Sequence, residues 1–388
     1  MLENSANLEV DIAILGGGLA GLSLATELAA PEFAHLKVVV IEPRASYTRD
    51  KTWSYWRQAQ HAFSAQESAV WHAWQLKNTQ KSVTIESKNA ENYVYASIAS
   101  DDFYKAALGK IAACQHVSVL QSVSVEVLDV IDSDAIVLLK NGAKLIVKRA
   151  IFDSRSAEMN EDKHLTQHFV GLQLVTLSPT FDVNIVNLMN FKSSSHGVHF
   201  IYVLPYSATE ALVESTWLCH HHRHEDYAEE LHSYIAERWP NIDFKVKYTE
   251  TGSLPLLNQQ NRECWLANIP VIPIGARAGT ARAATGYAFL ETLADSARLA
   301  NLLKQNLPLT AFKRNKIDTW MDAVFLSFLS QHANLAANYF VQMFANCSPA
   351  RLIRFLTGQA NWLDRLSVMR AMPAKPILTN LLANIFKH

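Results

Sequence analysis

The glycine-rich segment GGGLAG, at Gly16–Gly21, restricts the fold of this chain more than any other feature of its sequence. It follows the apolar run EVDIAIL, which predicts a buried β-strand, and it precedes LSLATELAA, which is typical of a helix. A second strand pattern, KVVVIE, ends in Glu42, about 20 residues beyond the glycines. This order of strand, turn, helix, strand and acid predicts a βαβ unit of the dinucleotide-binding type.

Each part of this unit has a physical role in holding a dinucleotide. Gly16 allows a tight turn, Gly18 lets the backbone approach a pyrophosphate, and Gly21 lets the helix pack closely on the strand. The helix N-terminus offers free N–H groups and a positive dipole to the phosphates, and Glu42 can take the ribose hydroxyls. The early position of the unit favours FAD, and a late strand and glycine turn, IPVIPIG at 269–275, predicts a return of the chain to the flavin end.

Charge and composition argue against several other classes of protein. The 388 residues carry 35 basic and 36 acidic side chains, without the basic excess that a nucleic-acid-binding protein would show. The four cysteines have no short repeated spacing, which predicts a reduced, cytoplasmic protein without a disulfide framework. We expect no signal peptide, and no apolar run reaches the roughly 18 residues that a spanning helix requires.

The remaining patterns predict an α/β (α+β) fold with three parts. A Rossmann-like FAD-binding domain is expected to be discontinuous, at 9–160 and 264–305. Several strand patterns within 161–263 predict an inserted antiparallel β-sheet domain that binds substrate. Residues 306–388 predict a C-terminal helical region rich in Leu, Phe, Ala and Trp, which either caps the core or faces a membrane surface.

The segment LVESTWLCHHHRH, at 212–224, contains two candidate sites. Strand alternation places Glu214 on one sheet face with Leu212 and Thr216. A lone acid among apolar residues is suited to a raised pKa and to general acid–base chemistry, although a structural ion pair is the alternative. Cys219 and the following histidines resemble metal ligands, but few of them would share a face and no second cysteine is near. We therefore expect no metal site and interpret the histidine run as a solvated turn.

Several stretches resemble, in the same order along the chain, the FAD-dependent lycopene cyclases of carotenoid biosynthesis. They are DIAILGGGLAGLSLA (11–25), DKTWSYW (50–56), IFDSR (151–155), QHFVGLQL (167–174), VLPYSATEALVEST (203–216), IPIGARAGTARAATGYAF (272–289) and RFLTGQANWLDRLSVMRAMPAKPIL (354–378). The resemblance extends from about residue 9 to about residue 380. The chain departs from the family pattern at Ser215, where a second acid usually follows the catalytic-type glutamate, at Ala283, where proline is common, and at Lys51, where histidine is common.

The resemblance implies a lycopene β-cyclase that closes β-ionone rings on lycopene or a related linear carotenoid, with Glu214 as its catalytic residue. It also implies FAD in its reduced form without net redox change, NAD(P)H as the electron source, and a cytoplasmic protein attached to the lipid surface of the inner face of the cell membrane. Together with the glycine unit, it predicts a set of cofactor-binding residues. They are Gly16, Gly17, Gly18, Ala20, Gly21, Glu42, Thr52, Trp53, Asp153, Gly275, Ala276, Gly286 and Tyr287.

Two other functions stay open. A redox flavoprotein, such as a monooxygenase or a reductase acting on a polyene or prenyl chain, would share the same cofactor fold. A carrier that binds a carotenoid or a flavin would need no catalytic acid. The tryptophans at 53, 56, 71 and 74 either line a polyene tunnel or belong to the core.

Overall fold

The structure, a computed structural model, describes residues 7–155, 164–194, 196–220, 224–258 and 261–372. The strands, in chain order, are β1 (Asn7–Leu15), β2 (Val38–Ile41), β3 (Thr52–Arg57), β4 (Ala69–Trp71), β5 (Ala73–Lys77), β6 (Ser82–Glu86), β7 (Val94–Ala99), β8 (Val117–Leu120), β9 (Val125–Ile131), β10 (Asp134–Leu139), β11 (Lys144–Asp153), β12 (Thr166–Thr176), β13 (Val186–Lys192), β14 (Val198–Ser207), β15 (Glu210–Cys219), β16 (Phe244–Pro255), β17 (Cys264–Leu266) and β18 (Ile269–Pro273). The helices are α1 (Leu19–Leu28), α2 (Ser100–Ala112), α3 (His224–Arg238), α4 (Phe289–Lys304), α5 (Lys316–Gln331), α6 (Ala333–Asn346), α7 (Pro349–Leu356) and α8 (Trp362–Ala371).

A parallel sheet forms the first layer and contains the predicted βαβ unit. Strands β18, β11, β1, β2 and β8 lie side by side in this order and run parallel, while β9 and β10 continue from β11 as antiparallel strands. Side chains of β1 and β2 are buried on both faces, as in sheets that are covered on two sides. Helices α1, α2 and α4 pack on one face, so the predicted Rossmann-like fold is confirmed.

The second sheet is larger and has the strand order β16, β12, β15, β14, β13, β5 and β6. From β16 to β13 its pairs are antiparallel, as predicted. The sheet is not confined to 161–263, because β5 and β6 join it from the N-terminal part of the chain and β5 runs parallel to β13. Trp74 and Leu76 of β5 are buried in the core beneath this sheet, and their alternation alone does not show which sheet they join.

Helices cover both faces of the second sheet. Helix α3 packs on one face, and the C-terminal helices α5 to α8 pack near the other face, together with Trp56, Trp71 and Trp74. A small sheet of β3, β7 and β4 lies between the two layers. Within the described part of the chain, no helix combines the length and the apolar character needed to cross a membrane. Residues 373–388, the end of the predicted C-terminal helical region, lie outside the described residues.

A buried ion pair and a backbone hydrogen bond join the C-terminal part of the chain to the loop that follows β18. Arg282 and Asp322 are each about 1% exposed and lie 2.8 Å apart. The guanidinium group of Arg314 donates a hydrogen bond to the backbone oxygen of Thr280, at 3.0 Å. Charges buried this deeply are stable only when their partners are held in place, so these contacts fix the loop that the sequence assigns to the flavin.

Candidate active site

The N-terminus of α1 lies at the carboxyl end of β1, and it is open to an anion. Gly18 is the N-cap residue, no side chain caps the helix, and the first turn contains no acidic residue. A Cβ atom placed on Gly18 would meet no atom within 4 Å. Free N–H groups at a helix terminus and unfilled space beside them are what a pyrophosphate group requires. This end of α1 therefore fits the dinucleotide that the sequence predicts.

Glu42 follows β2 directly and is held in its ionised form. The backbone N–H of Gly17 donates to Glu42 Oε2 at 2.7 Å, and Arg44 Nε donates to Glu42 Oε1 at 2.8 Å. Burial alone would raise the pKa of Glu42, but the hydrogen bonds from Arg44 and Gly17 lower it below its ordinary value. A buried carboxylate at this position corresponds to the acid that receives the ribose hydroxyls in dinucleotide-binding folds.

The ends of β11 and β18 bring further predicted residues to the same edge of the parallel sheet. Asp153 is buried and lies 2.9 Å from Arg155 and 3.4 Å from Arg277. Gly275 has a φ angle of +63°, and a Cβ atom there would lie 2.6 Å from the side chain of Ala20, so glycine allows this turn to pack on α1. The residues at this edge are Gly16, Gly17, Gly18, Ala20, Gly21, Glu42, Asp153, Gly275 and Ala276.

The other four predicted cofactor residues have different contacts. The Thr52 hydroxyl donates to Glu250 Oε2 at 2.9 Å, and a Cβ atom on Gly286 would lie 2.9 Å from Leu254, so both face the second sheet. The Tyr287 ring packs on Trp56. Trp53 instead packs against Phe103 of α2 and Phe289 of α4, with ring centroids 5.5 Å apart in each case. Contact of these four residues with a flavin stays a prediction.

Glu214 lies in the middle of β15 and is buried, with only 8% of its surface exposed. Its neighbours on the same face, Leu212 and Leu218, belong to the apolar core on this side of the sheet. The hydroxyl of Thr216 donates to Glu214 Oε1 at 2.6 Å. Burial, followed by the negative charge of Glu250, raises the pKa of Glu214 from 4.5 to about 8. This shift favours the protonated form of Glu214 at neutral pH.

Glu250, in β16, is a second buried acid that sequence reasoning missed. Gly171 of β12 is paired in register with Glu214 on one side and with Glu250 on the other. Burial raises the pKa of Glu250, while the Thr52 hydroxyl and the charge of Arg49 act in the opposite direction. The segment YTETGSLP carries polar side chains on both faces, so its alternation did not mark Glu250 as buried.

Ser215 faces away from Glu214. Its hydroxyl lies 2.9 Å from Nε2 of His199, whose ring stacks on Trp217 at a centroid distance of 4.1 Å. Burial, followed by the charge of Lys192, lowers the pKa of His199 to about 4. An acid at this position would point towards α3, so the departure from the family pattern at Ser215 does not alter the face that carries Glu214.

Aromatic residues surround the face that carries Glu214. Tyr202 of β14 is paired in register with Glu214, and its hydroxyl lies 2.7 Å from the hydroxyl of Tyr95. The Tyr95 ring packs against Trp56 and Trp71, at centroid distances of 4.9 Å and 6.3 Å. Burial raises the pKa values of Tyr95 and Tyr202 far above their ordinary value, so both phenols are neutral. The acid thus lies beside an apolar wall with uncharged hydroxyl groups.

The histidine run is described only in part. His220 Nε2 lies 2.7 Å from the hydroxyl of Ser330, and Cys219 is buried beside it. His221 and His222 lie outside the described residues. Among the side chains that the structure describes, no group of three His, Cys, Asp or Glu residues is arranged to hold a metal ion.

Comparisons with known proteins extend over nearly the whole chain. Residues 11–382 match the family model described as lycopene cyclase protein. The chain is 26% identical over 390 residues to the lycopene beta-cyclase of Pseudescherichia vulneris, with 95% of each protein covered. A geranylgeranyl bacteriochlorophyll reductase-like structure from Thermoplasma acidophilum is similar in fold, with a TM-score of 0.60, 12% identity, and 97% of this chain and 96% of that chain covered. The p-nitrophenol 4-monooxygenase of Pseudomonas putida gives a TM-score of 0.56 at 13% identity, with 96% and 97% covered.

Proposed function

Because the chain belongs to the lycopene cyclase family, we propose that it is a lycopene β-cyclase, which closes β-ionone rings on lycopene or a related linear carotenoid. The observation that supports this proposal is the position of Glu214 on an apolar, aromatic-rich sheet face, where burial raises its pKa to about 8. An acid that is protonated at neutral pH is what a proton-initiated reaction on a hydrocarbon requires.

The chemistry needs one proton and no net transfer of electrons. Protonated Glu214 donates its proton to the terminal double bond of the polyene, and a neighbouring alkene of the same molecule attacks the resulting cation to close the ring. The Glu214 carboxylate then removes a proton from the new ring, which forms the ring double bond. The product is an isomer of the substrate, and the acid regains its starting form. Tyr95 and Tyr202 are neutral, so they bring no further charge to the place where the cation forms.

We further propose that the protein holds FAD in its reduced form, with NAD(P)H as the source of electrons. The open N-terminus of α1 fits the pyrophosphate, and ionised Glu42 fits the ribose. Asp153 and the turn at Gly275 lie at the same edge of the parallel sheet. When bound there, reduced FAD would supply negative charge that stabilises the cationic intermediates without net redox change.

Attachment to a membrane surface is also proposed, since the substrate is a lipid-soluble hydrocarbon. The Asp318–Arg365 ion pair, at 2.7 Å, holds the start of α5 against α8. Both helices expose large apolar side chains, which favour a lipid interface. They are Ile317, Trp320, Trp362, Leu363 and Met369. In a vesicle flotation assay, the double variant Trp320→Ser, Trp362→Ser should bind less than wild type, and equal binding would contradict attachment through these helices.

The experiment that tests the proposed function is expression in cells that accumulate lycopene, followed by chromatographic identification of the pigment. A β-cyclase converts lycopene to cyclic products of unchanged mass, and Glu214→Gln abolishes the conversion while FAD stays bound. Oxidation of NADPH in step with substrate loss, or a change of product mass, would instead identify a redox flavoprotein. A carrier would leave lycopene uncyclised and would bind it equally well in the Glu214→Gln variant.

A further inference from the structure

Strand β16 forms one edge of the second sheet, and Glu250 is its only buried residue. The other residues of this strand are exposed or half-buried, yet Glu250 is only 3% exposed. Burying an ionisable group has a high free-energy cost unless the group is neutralised or hydrogen-bonded. A mostly polar edge strand that buries only a carboxyl group therefore indicates a specific role for that group.

Gly171 brings the two carboxyl groups to one place. Because Gly171 is paired in register with both Glu214 and Glu250, the two acids project from the same face of the sheet on either side of β12. A Cβ atom on Gly171 would lie 3.0 Å from Cγ of Glu250. A side chain at this position would press on the side chain of Glu250, and the negative charge of Glu250 acts on Glu214 across this gap.

The surroundings of the two acids differ. The Thr52 hydroxyl donates to Glu250 at 2.9 Å, and the Arg49 guanidinium donates to the Thr52 hydroxyl at 3.0 Å. Glu214 has the Thr216 hydroxyl as a donor, and the positive charge of Arg49 acts on Glu250. The phenol of Tyr206 also lies near Glu250. Burial, followed by the negative charge of Glu250, raises the pKa of Tyr206 to about 12, so this phenol is neutral. The charge of Asp50 raises the pKa of Glu250, but its effect is smaller than those of Thr52 and Arg49. Negative charge is thus favoured on Glu250, and the proton is favoured on Glu214.

We propose that Glu250 is a positioning residue that keeps the reactive proton on Glu214, so that the two carboxyl groups hold one proton between them. This inference rests on the proposed function. When Glu214 donates its proton, the pair carries two negative charges opposite one positive charge on the polyene. Removal of a ring proton by Glu214 returns the pair to a single negative charge. The charge of Glu250 therefore favours recapture of the proton, and the same pair serves the acid step and the base step.

The test is the titration of the carboxyl groups in the full-length, FAD-loaded protein, followed by the infrared absorption of the protonated C=O group. In wild type, one buried carboxyl is protonated at neutral pH. Glu250→Gln removes the neighbouring charge, so the titration of Glu214 should move to lower pH by more than about one unit. The upper pH limit of kcat should move in the same direction.

Glu210→Gln is the matched control, because Glu210 lies on the same strand but pairs with Lys247 and is partly exposed. It should leave both the infrared titration and the pH profile unchanged. In the reciprocal variant Glu214→Gln, the pair should show no protonated C=O band at neutral pH, because Glu250 stays ionised when Glu214 no longer holds the proton. Because this variant also reports on the pair, it decides the matter if Glu250→Gln fails to fold.

The outcomes separate this inference from the proposed function. An unshifted titration of Glu214 in Glu250→Gln or, where that variant does not fold, a Glu250 carboxyl that is still protonated at neutral pH in Glu214→Gln would overturn the shared proton. Shifted titrations together with full cyclisation by Glu214→Gln would keep the pair but refute the proposed role of Glu214. Glu250→Asp, which retains the negative charge, should restore the pH profile towards that of wild type, and a profile like that of Glu250→Gln would contradict a role for charge.

Discussion

Glu42 and Glu214 are both buried glutamates, with 3% and 8% of their surfaces exposed, but the pKa of Glu42 is lowered and that of Glu214 is raised. Glu42 accepts hydrogen bonds from Arg44 and from the backbone of Gly17, which lower its pKa despite burial. Burial and a second carboxylate, that of Glu250, raise the pKa of Glu214. The partners of a buried acid, rather than its residue type, thus decide whether it binds as an anion or donates a proton.

Glu214→Gln should have the largest effect, because it removes the proposed proton donor. General acid–base groups contribute about 10²- to 10⁴-fold to the rate of a reaction. We therefore expect kcat for cyclisation to fall by at least about 10²-fold. FAD affinity should not change, since Glu42 and the N-terminus of α1 are untouched. The measurement is steady-state cyclisation by the variant with reduced flavin, with Glu210→Gln as the control. Activity within a few-fold of wild type would contradict the contrast between Glu214 as a proton donor and Glu42 as an anionic cofactor ligand.

Glu42→Gln should show the converse behaviour. The loss of an ionised acceptor that holds Arg44 and Gly17 should weaken FAD binding by roughly tenfold to a hundredfold, in line with about 1.5–3 kcal/mol for a hydrogen bond to a charged group. At saturating FAD, kcat should stay near that of wild type. The measurement is flavin titration followed by fluorescence. Unchanged FAD affinity in this variant would remove Glu42 from the cofactor site.

Features formed by residues close together in the sequence were predictable, whereas features that depend on the pairing of distant strands were not. The glycines, α1 and Glu42 follow one another along the chain, so spacing alone identified them. Glu214 was recognised by its apolar neighbours and by family resemblance. Glu250 was missed because β16 is polar on both faces, and its burial results from its register with Gly171. Strand register is a tertiary property, which also explains why β5 and β6 were not assigned to the second sheet.

The pH dependence of stability should distinguish the two acids. The folded protein holds a proton on Glu214 up to about pH 8, whereas the unfolded chain releases it near pH 4.5. The contribution of Glu214 to the free energy of unfolding is therefore complete below about pH 4.5 and decreases as the pH rises to about 8. The pKa of Glu42 is lowered in the folded protein. Its contribution to the free energy of unfolding is therefore present above about pH 4.5 and is lost as the pH falls below that value.

Urea denaturation of wild type, Glu214→Gln and Glu42→Gln at several pH values checks this prediction. Relative to wild type, Glu214→Gln should gain stability as the pH rises through this interval, and Glu42→Gln should not. Parallel stability curves for wild type and Glu214→Gln would contradict the raised pKa.

Ser215→Ala should have the smallest effect, because this hydroxyl faces His199 on the opposite side of the sheet. We expect kcat to stay within about twofold of wild type, and the free energy of unfolding to fall by about 1 kcal/mol, as for the loss of a single buried hydrogen bond. Thermal denaturation and the cyclisation assay measure the two quantities. A loss of activity comparable to that of Glu214→Gln would mean that the two faces of β15 are coupled in catalysis.

The central claim, that Glu214 delivers a proton to a hydrocarbon without net redox change, is tested most directly by cyclisation in D2O. The carboxyl proton of Glu214 exchanges with solvent before it is transferred, so the account predicts that each ring closed contains a single deuterium from solvent. It also predicts no consumption of NADPH in proportion to product, and no deuterated product from Glu214→Gln. Cyclic product without solvent deuterium, or NADPH oxidised in step with ring closure, would contradict the account.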